Sequence, residues 1–271
     1  MISMHVTTTV RVLVYGTAAL VMALLASCTS LRERQSDAIA VNSIDSIALS
    51  RWAAASASGG TTGISGRWLH QEFPGKRASS YRYARLDGRD TVAVQSSSAA
   101  SMLRQVVRVE AADLGRLRFS WKVPALIAGA NLRDRHMADS PVRVVLAFEG
   151  DRSQFGARDA MLSELAHALT GEPMPYATLM YVWGNQSAAG TVLHNTRTSR
   201  IRKLVMESGP GKLSQWLDYE RDVRADFEKA FGEPPGALVS IGIMTDTDNT
   251  RSTATAWYGP IRHTPVKDAA P

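Results

Sequence analysis

Residues 116–123 alternate without interruption: Leu117, Phe119, Trp121 and Val123 on one side, Arg116, Arg118, Ser120 and Lys122 on the other. Successive side chains leave opposite faces of a strand, so a period of two is what a half-buried sheet demands. On a helix the four apolar residues would be scattered around the circumference. The stretch therefore commits the chain to a sheet with one face in a core. Strand-like patterns recur at 66–73, 81–86, 91–95, 102–110, 142–148, 201–207, 237–245 and 253–261. Residues 178–183 are apolar on both faces, which predicts a central strand. Between 81–86 and 91–95 stands Asp87-Gly88, where glycine supplies the positive φ of a tight hairpin turn.

Two helices are expected among these strands. In 159–169, Met161, Leu162, Leu165, Ala168 and Leu169 form one stripe, expected to face the core, and Gly171 can serve as the left-handed stop. In 222–231, Asp222 is the expected N-cap, Val223, Phe227, Ala230 and Phe231 turn inward, and Gly232 ends the helix before Pro234-Pro235. Strands do not alternate regularly with helices, which disfavours a doubly wound parallel sheet. The expected fold is mainly β: a jelly-roll-like antiparallel β-sandwich with two short helices, over residues 63–264, followed by a disordered tail at 265–271.

The first 27 residues contain no Asp or Glu and one Arg, Arg11, followed by an uncharged run at 12–26. That run is shorter than the roughly 20 apolar residues a membrane-spanning helix needs, and it matches the apolar region of a secretory signal. Leu25-Ala26-Ser27-Cys28 resembles the lipobox of bacterial lipoproteins. The resemblance implies a signal peptide cleaved after residue 27, Cys28 as the lipid-bearing residue (diacylglycerol and palmitate-type acylation) and a flexible tether at 28–62. Thr29 stands where an inner-membrane retention signal places Asp, so the expected location is the periplasmic face of the bacterial outer membrane. The membrane is then a partner through the lipid anchor. Cys28 is the one cysteine, so no disulfide forms within the chain and the domain must be held by its core.

Thirty-one Lys plus Arg against 25 Asp plus Glu leave a formal charge of +6, with no block of five or six like charges. Nucleic acid is therefore not an expected partner. Gly209-Pro210-Gly211-Lys212 resembles the end of a phosphate loop, but Met206 and Leu213 occupy the positions of the first glycine and the magnesium-binding hydroxyl, leaving a plain turn. No nucleophile elbow and no His-Glu-x-x-His occurs, and the six histidines are isolated from one another in sequence.

Two polar clusters remain. Asp246, Asp248, Asn249 and Thr250 follow the apolar Val239, Ile241 and Ile243. Such a set serves as a self-capped turn, as a calcium site with Asp246 and Asp248 as ligands, or as a direct ligand contact. It is no EF-hand, because Arg251 replaces the turn glycine and Trp257 the bidentate glutamate. The second cluster is Asp139 with Arg143, a charge on an otherwise apolar strand. A buried guanidinium keeps its proton and needs a carboxylate, for which Asp139, Asp246 and Asp222 are candidates. Trp183, Trp216, Trp257, Tyr181 and Tyr258 are read as core aromatics, with sugar stacking as the alternative.

The residues 98–103, the strand at 117–123, Tyr181-Val182-Trp183-Gly184, Arg221-Asp222, Phe231-Gly232-Glu233-Pro234-Pro235 and 244–250 together resemble the bacterial domain-of-unknown-function family 3047, over roughly residues 64–262. In that family Asp-Asp commonly precedes the strand beginning at Val142, where this chain has Ala138-Asp139. The resemblance implies a jelly-roll sandwich similar to carbohydrate-binding modules. The functional expectation is an envelope lipoprotein with a non-catalytic module binding a glycan or another envelope ligand. The alternative is a polysaccharide-acting hydrolase or lyase using carboxylates among Asp139, Asp246 and Asp248.

Overall fold

The structure, a computed structural model, describes residues 43–56 and 67–266. The expected signal at 1–27, Cys28, residues 29–42 and 57–62 of the expected tether, and the tail from 267 onward lie outside the described residues. In chain order the strands are β1 (Leu69–Glu72), β2 (Ser80–Leu86), β3 (Arg89–Ser97), β4 (Ser101–Val109), β5 (Arg116–Lys122), β6 (Ser140–Phe148) and β7 (Ala177–Gly184). They continue as β8 (Val192–His194), β9 (Ile201–Ser208), β10 (Trp216–Asp222), β11 (Leu238–Asp246), β12 (Thr253–Tyr258) and β13 (Arg262–Thr264). The helices are α1 (Ser43–Ala48), α2 (Arg51–Ala55), α3 (Ala157–Thr170) and α4 (Val223–Phe231).

Seven strands pair in the order β1-β4-β11-β6-β7-β9-β8 and five more in the order β10-β5-β12-β3-β2, where β13 also joins β5. From β3 to β6, and again from β9 to β12, the chain changes sheet at every step, which ties the two layers into one mainly β sandwich. The face assigned to the alternating stretch holds: Leu117, Trp121 and Val123 are fully buried and Phe119 nearly so. Phe119 stacks across the interior on Tyr181 of the other sheet, with centroids 5.3 Å apart and planes 17° from parallel. Burying such rings supplies most of what holds a domain without disulfides.

The hairpin at Asp87-Gly88 forms with both residues at positive φ, 51° and 77°. Asp222 caps α4 by accepting the Ala225 N–H at 3.0 Å, and Gly232 closes it at φ 75°. The antiparallel expectation fails at one pair: β7 and β9 run parallel, because β8 carries the chain back before β9 begins. The strands β8, β10 and β13 were not anticipated from sequence.

Three further expectations are corrected. There are four helices among the described residues rather than two. Part of the expected tether belongs to the domain: Ile47 of α1 and Trp52 of α2 are fully buried in the main core, and Trp52 packs on Trp68 at 4.7 Å. The apolar stripe of α3 faces away from the core, with Met161 63%, Leu165 52% and Leu169 60% exposed. The helix docks by its polar side instead, where Asp159 accepts the Ser199 N–H at 3.2 Å and its Oγ–H at 2.5 Å. No helix among the described residues is long and apolar enough to cross a membrane.

Candidate functional site

The outer face of the seven-stranded sheet carries the site. On β6 the inward set is Val142, Val144, Leu146 and Phe148, which leaves Arg143, Val145 and Ala147 on the outside, yet all nine residues of the strand are buried. Cover at one end comes from the segment between β5 and β6, where Leu132 packs on Val182, Leu193 and Val205. Beyond this cover the face opens into a cleft with two halves. One, of about 380 Å³, is lined by Lys76, Arg143, His194, Lys203, Asp246 and Asp248 together with arginines of the rim. The other, of about 580 Å³, is lined by Met102, Val106, Val145, Ala147, Met174 and Met180. Phe73, Met180, Ile201 and Met244 line both, so the halves are continuous. Each volume lies in the range of small-molecule sites, about 300–1,000 Å³.

The polar half joins the two clusters that the sequence keeps apart, and of the three candidate partners for Arg143 it selects Asp246. Met244 pairs with Arg143 between β11 and β6, and Asp246, two residues on, turns to the same side. The Arg143 guanidinium therefore meets Asp246, with Nε donating to Oδ1 at 2.8 Å and Nη2 to Oδ2 at 2.9 Å. Ser140 N–H also donates to Asp246 at 3.0 Å, and Arg143 donates further to Ala138 O at 2.5 Å. The two side chains are 5% and 7% exposed. Burial pushes the Asp246 carboxyl above its usual range, against the pull of Arg143.

Asp139, another of those candidates, instead holds the 246–250 loop. Its Oδ1 accepts from Asn249 Nδ2 at 2.8 Å and Asn249 N–H at 3.3 Å, and its Oδ2 from Thr250 N–H and Oγ–H, both at 2.7 Å. The turn is thus capped by a residue from across the sheet rather than by its own side chains. Asp248 pairs with Lys76, and Asp222 is occupied as the α4 cap. Oxygens of Asp139, Asp246 and Asp248 lie within 4.8 Å of one another, the spacing a cation site requires. In this arrangement the positive charge facing Asp246 is the guanidinium of Arg143, and the oxygens of Asp139 are engaged by four donors.

Lys203 was missed from sequence. It lies on β9 opposite Met180 of β7 and Leu193 of β8, and is only 4% exposed. Its Nζ has one acceptor among the described residues, Leu132 O at 3.4 Å. Burial, and next the charge of Arg143, bring its pKa down to about 7. A signal was present: with period two, Lys203 shares a face with Ile201 and Val205, an apolar setting for an ammonium. Of the aromatics named above, Trp183, Tyr181 and Tyr258 are core, and Trp216 and Trp257 belong to the other sheet. Phe73 is the one Phe, Tyr or Trp side chain lining the cleft among the described residues.

Two solved structures are similar to this chain. The xyloglucanase domain of NopAA, a type three effector from Sinorhizobium fredii in complex with cellobiose, aligns at 9% identity with a TM-score of 0.41, covering 75% of this chain and 95% of that one. Endoglucanase 3 of Trichoderma harzianum, from family GH12, aligns at 10% identity with a TM-score of 0.37, covering 76% and 91%. Comparison with curated proteins finds no match. The family model described as "Protein of unknown function (DUF3047)" matches residues 66–262.

Proposed function

The chain belongs to the DUF3047 family, and from the cleft we propose that its domain is a non-catalytic binding module that holds a glycan or another envelope ligand across the outer face of the seven-stranded sheet. The observation that carries this reading is the continuous cleft with Lys203 in its floor, a buried amine with one weak acceptor among the described residues. Three donors with one acceptor leave hydrogen-bonding capacity for a ligand. The hydrolase or lyase alternative needs carboxyls free to meet a substrate proton. Asp246 has both oxygens on Arg143, Asp139 is 1% exposed with four donors, and Asp248 is paired with Lys76.

The location rests on the sequence: a lipoprotein signal cleaved before Cys28, acylation there, and residence at the periplasmic face of the outer membrane. An array of envelope glycans and lipids, probed with the full chain carrying Cys28→Ser and followed by a turnover assay on every hit, tests the functional reading. Binding without turnover is the expected result. Turnover would replace the reading with an enzyme, and an array without hits would reject the cleft as a ligand site.

A further inference from the structure

We propose that the cleft takes an anionic amphiphile, with a carboxylate or phosphate head against Lys203 in the polar half and an acyl or similarly flexible apolar chain along the methionine-lined half. This rests on the reading above that the cleft is a ligand site and names the ligand's chemical class.

The two halves differ in what they offer. Six cationic side chains (Lys76, Arg133, Arg135, Arg143, Arg197 and Lys203) line the polar half against Asp246 and Asp248, so its field attracts anions. Arg143 is spoken for by Asp246 and Lys76 by Asp248. Among the described residues Lys203 has no carboxylate partner at salt-bridge distance, and its one hydrogen-bond acceptor is the carbonyl of Leu132. An ammonium removed from water is costly unless paired, and an acidic head group would supply the missing acceptor.

The other half has no counterpart charge beyond its rim. Met102, Val106, Val145, Ala147, Met174 and Met180 surround it, and Arg104 at the edge is held by Glu172 at 2.6 Å. Gly242 contributes to this floor: a Cβ there would come within 2.6 Å of Met102 Sδ, so its absence lets Met102 lie along the sheet. Unbranched thioethers adapt to a flexible chain better than to a rigid ring. Sugars are usually gripped by Trp, Tyr or Phe faces, and among the described residues Phe73 alone of these lines the cleft. The shared lining of Phe73, Met180, Ile201 and Met244 places head and chain subsites in one continuous path.

Protonation reinforces the choice. With its pKa lowered to about 7, Lys203 is only partly charged in the free protein at neutral pH. Arg143 from β6 lowers it further, whereas Asp246 from β11 and Asp139 before β6 raise it, and His194 of β8 also lines this half. A bound anion would raise the lysine, so binding takes up a proton and weakens as pH rises above 7.

Calorimetry on the full chain carrying Cys28→Ser tests the proposal, with myristate and lysophosphatidate below their micelle concentrations as probes. Glucuronate supplies an acid without a chain, and decyl maltoside a chain without an acid. Both tailed acids should bind, with affinity falling between pH 6.5 and 8.5, and both controls should bind much more weakly; preference between the two acids separates carboxylate from phosphate recognition. Lys203→Met should weaken tailed-acid binding at least about tenfold, the scale of one charge-assisted hydrogen bond. Val106→Glu, at a position 42% exposed and so safe for the fold, should weaken it similarly from the apolar end. Leu165→Glu, on the exposed stripe of α3, should change nothing. Tailed acids that bind both cleft variants like wild type, or that fail to bind wild type, would overturn the proposal. A neutral glycan bound in the array unaffected by Lys203→Met would also overturn it while leaving the binding-module reading intact, whereas silence in both assays would remove both.

Discussion

Replacing Arg143 by Met removes the guanidinium bonded to Asp246 while keeping side-chain volume. In the native cleft Asp246 receives two guanidinium bonds, at 2.8 and 2.9 Å, and one N–H from Ser140 at 3.0 Å. With the arginine gone, a carboxyl 7% exposed keeps only the Ser140 contact. Breaking one side of a buried pair typically costs about 3–5 kcal/mol, a large share of the roughly 5–15 kcal/mol that holds a domain together. The pH dependence follows from the direction of the Asp246 shift. Its folded pKa is already raised by burial, and losing Arg143 raises it further. Between the unfolded and folded pKa values the native state then holds the extra proton, so stability increases as pH falls through that window and is lowest above it. The deficit of Arg143→Met, measured from urea midpoints, should therefore be largest at pH 7 and shrink toward pH 5. Adding Asp246→Asn, which keeps an oxygen for Ser140 and removes the charge, should recover about 2 kcal/mol or more of the loss. A single variant within about 1 kcal/mol of wild type at pH 7, or a deficit that grows on acidification, would mean that Asp246 is not a desolvated charge.

Trp121→Ala should cost about 3–5 kcal/mol in chemical denaturation, because the ring is fully buried and packs on Phe119 and Tyr219 at 5.2 and 5.0 Å. Trp52→Ala should destabilise by about as much, and a deletion of residues 43–56 should do so too, whereas an unchanged melting temperature would return this segment to the tether. Calcium should leave the melting temperature unmoved, since Asp246 and Asp139 are already engaged; a rise that disappears in Asp246→Asn with Asp248→Asn would establish a metal site instead. Cys28→Ser should abolish labelling by palmitate and leave a heavier, uncleaved chain, and wild-type labelling would refute the lipoprotein assignment.

Local patterns of this chain were legible because their causes are local. Alternation at 116–123 assigned the core face of β5, and the chemistry of Asp87-Gly88, Asp222, Gly171 and Gly232 placed a hairpin turn and helix ends, all from sterics and hydrogen bonds spanning a few residues. The polar residues of the candidate site were legible only as an inventory, Asp139, Arg143, Asp246, Asp248, Asn249 and Thr250, which the structure brings together. Which of the candidates pair was not decided there, because Arg143 finds Asp246 across 103 positions and Asp139 finds Thr250 across 111, and the β6–β11 register decides both. Tertiary structure alone likewise turned the apolar stripe of α3 outward, since the bonds of Asp159 to Ser199 dock its opposite side, and drew Ile47 and Trp52 into the core. It also made Lys203 a site residue. A lysine in a strand is ordinary by sequence, and only burial between β7 and β8, beneath the Leu132 carbonyl, removes the water that would otherwise solvate it.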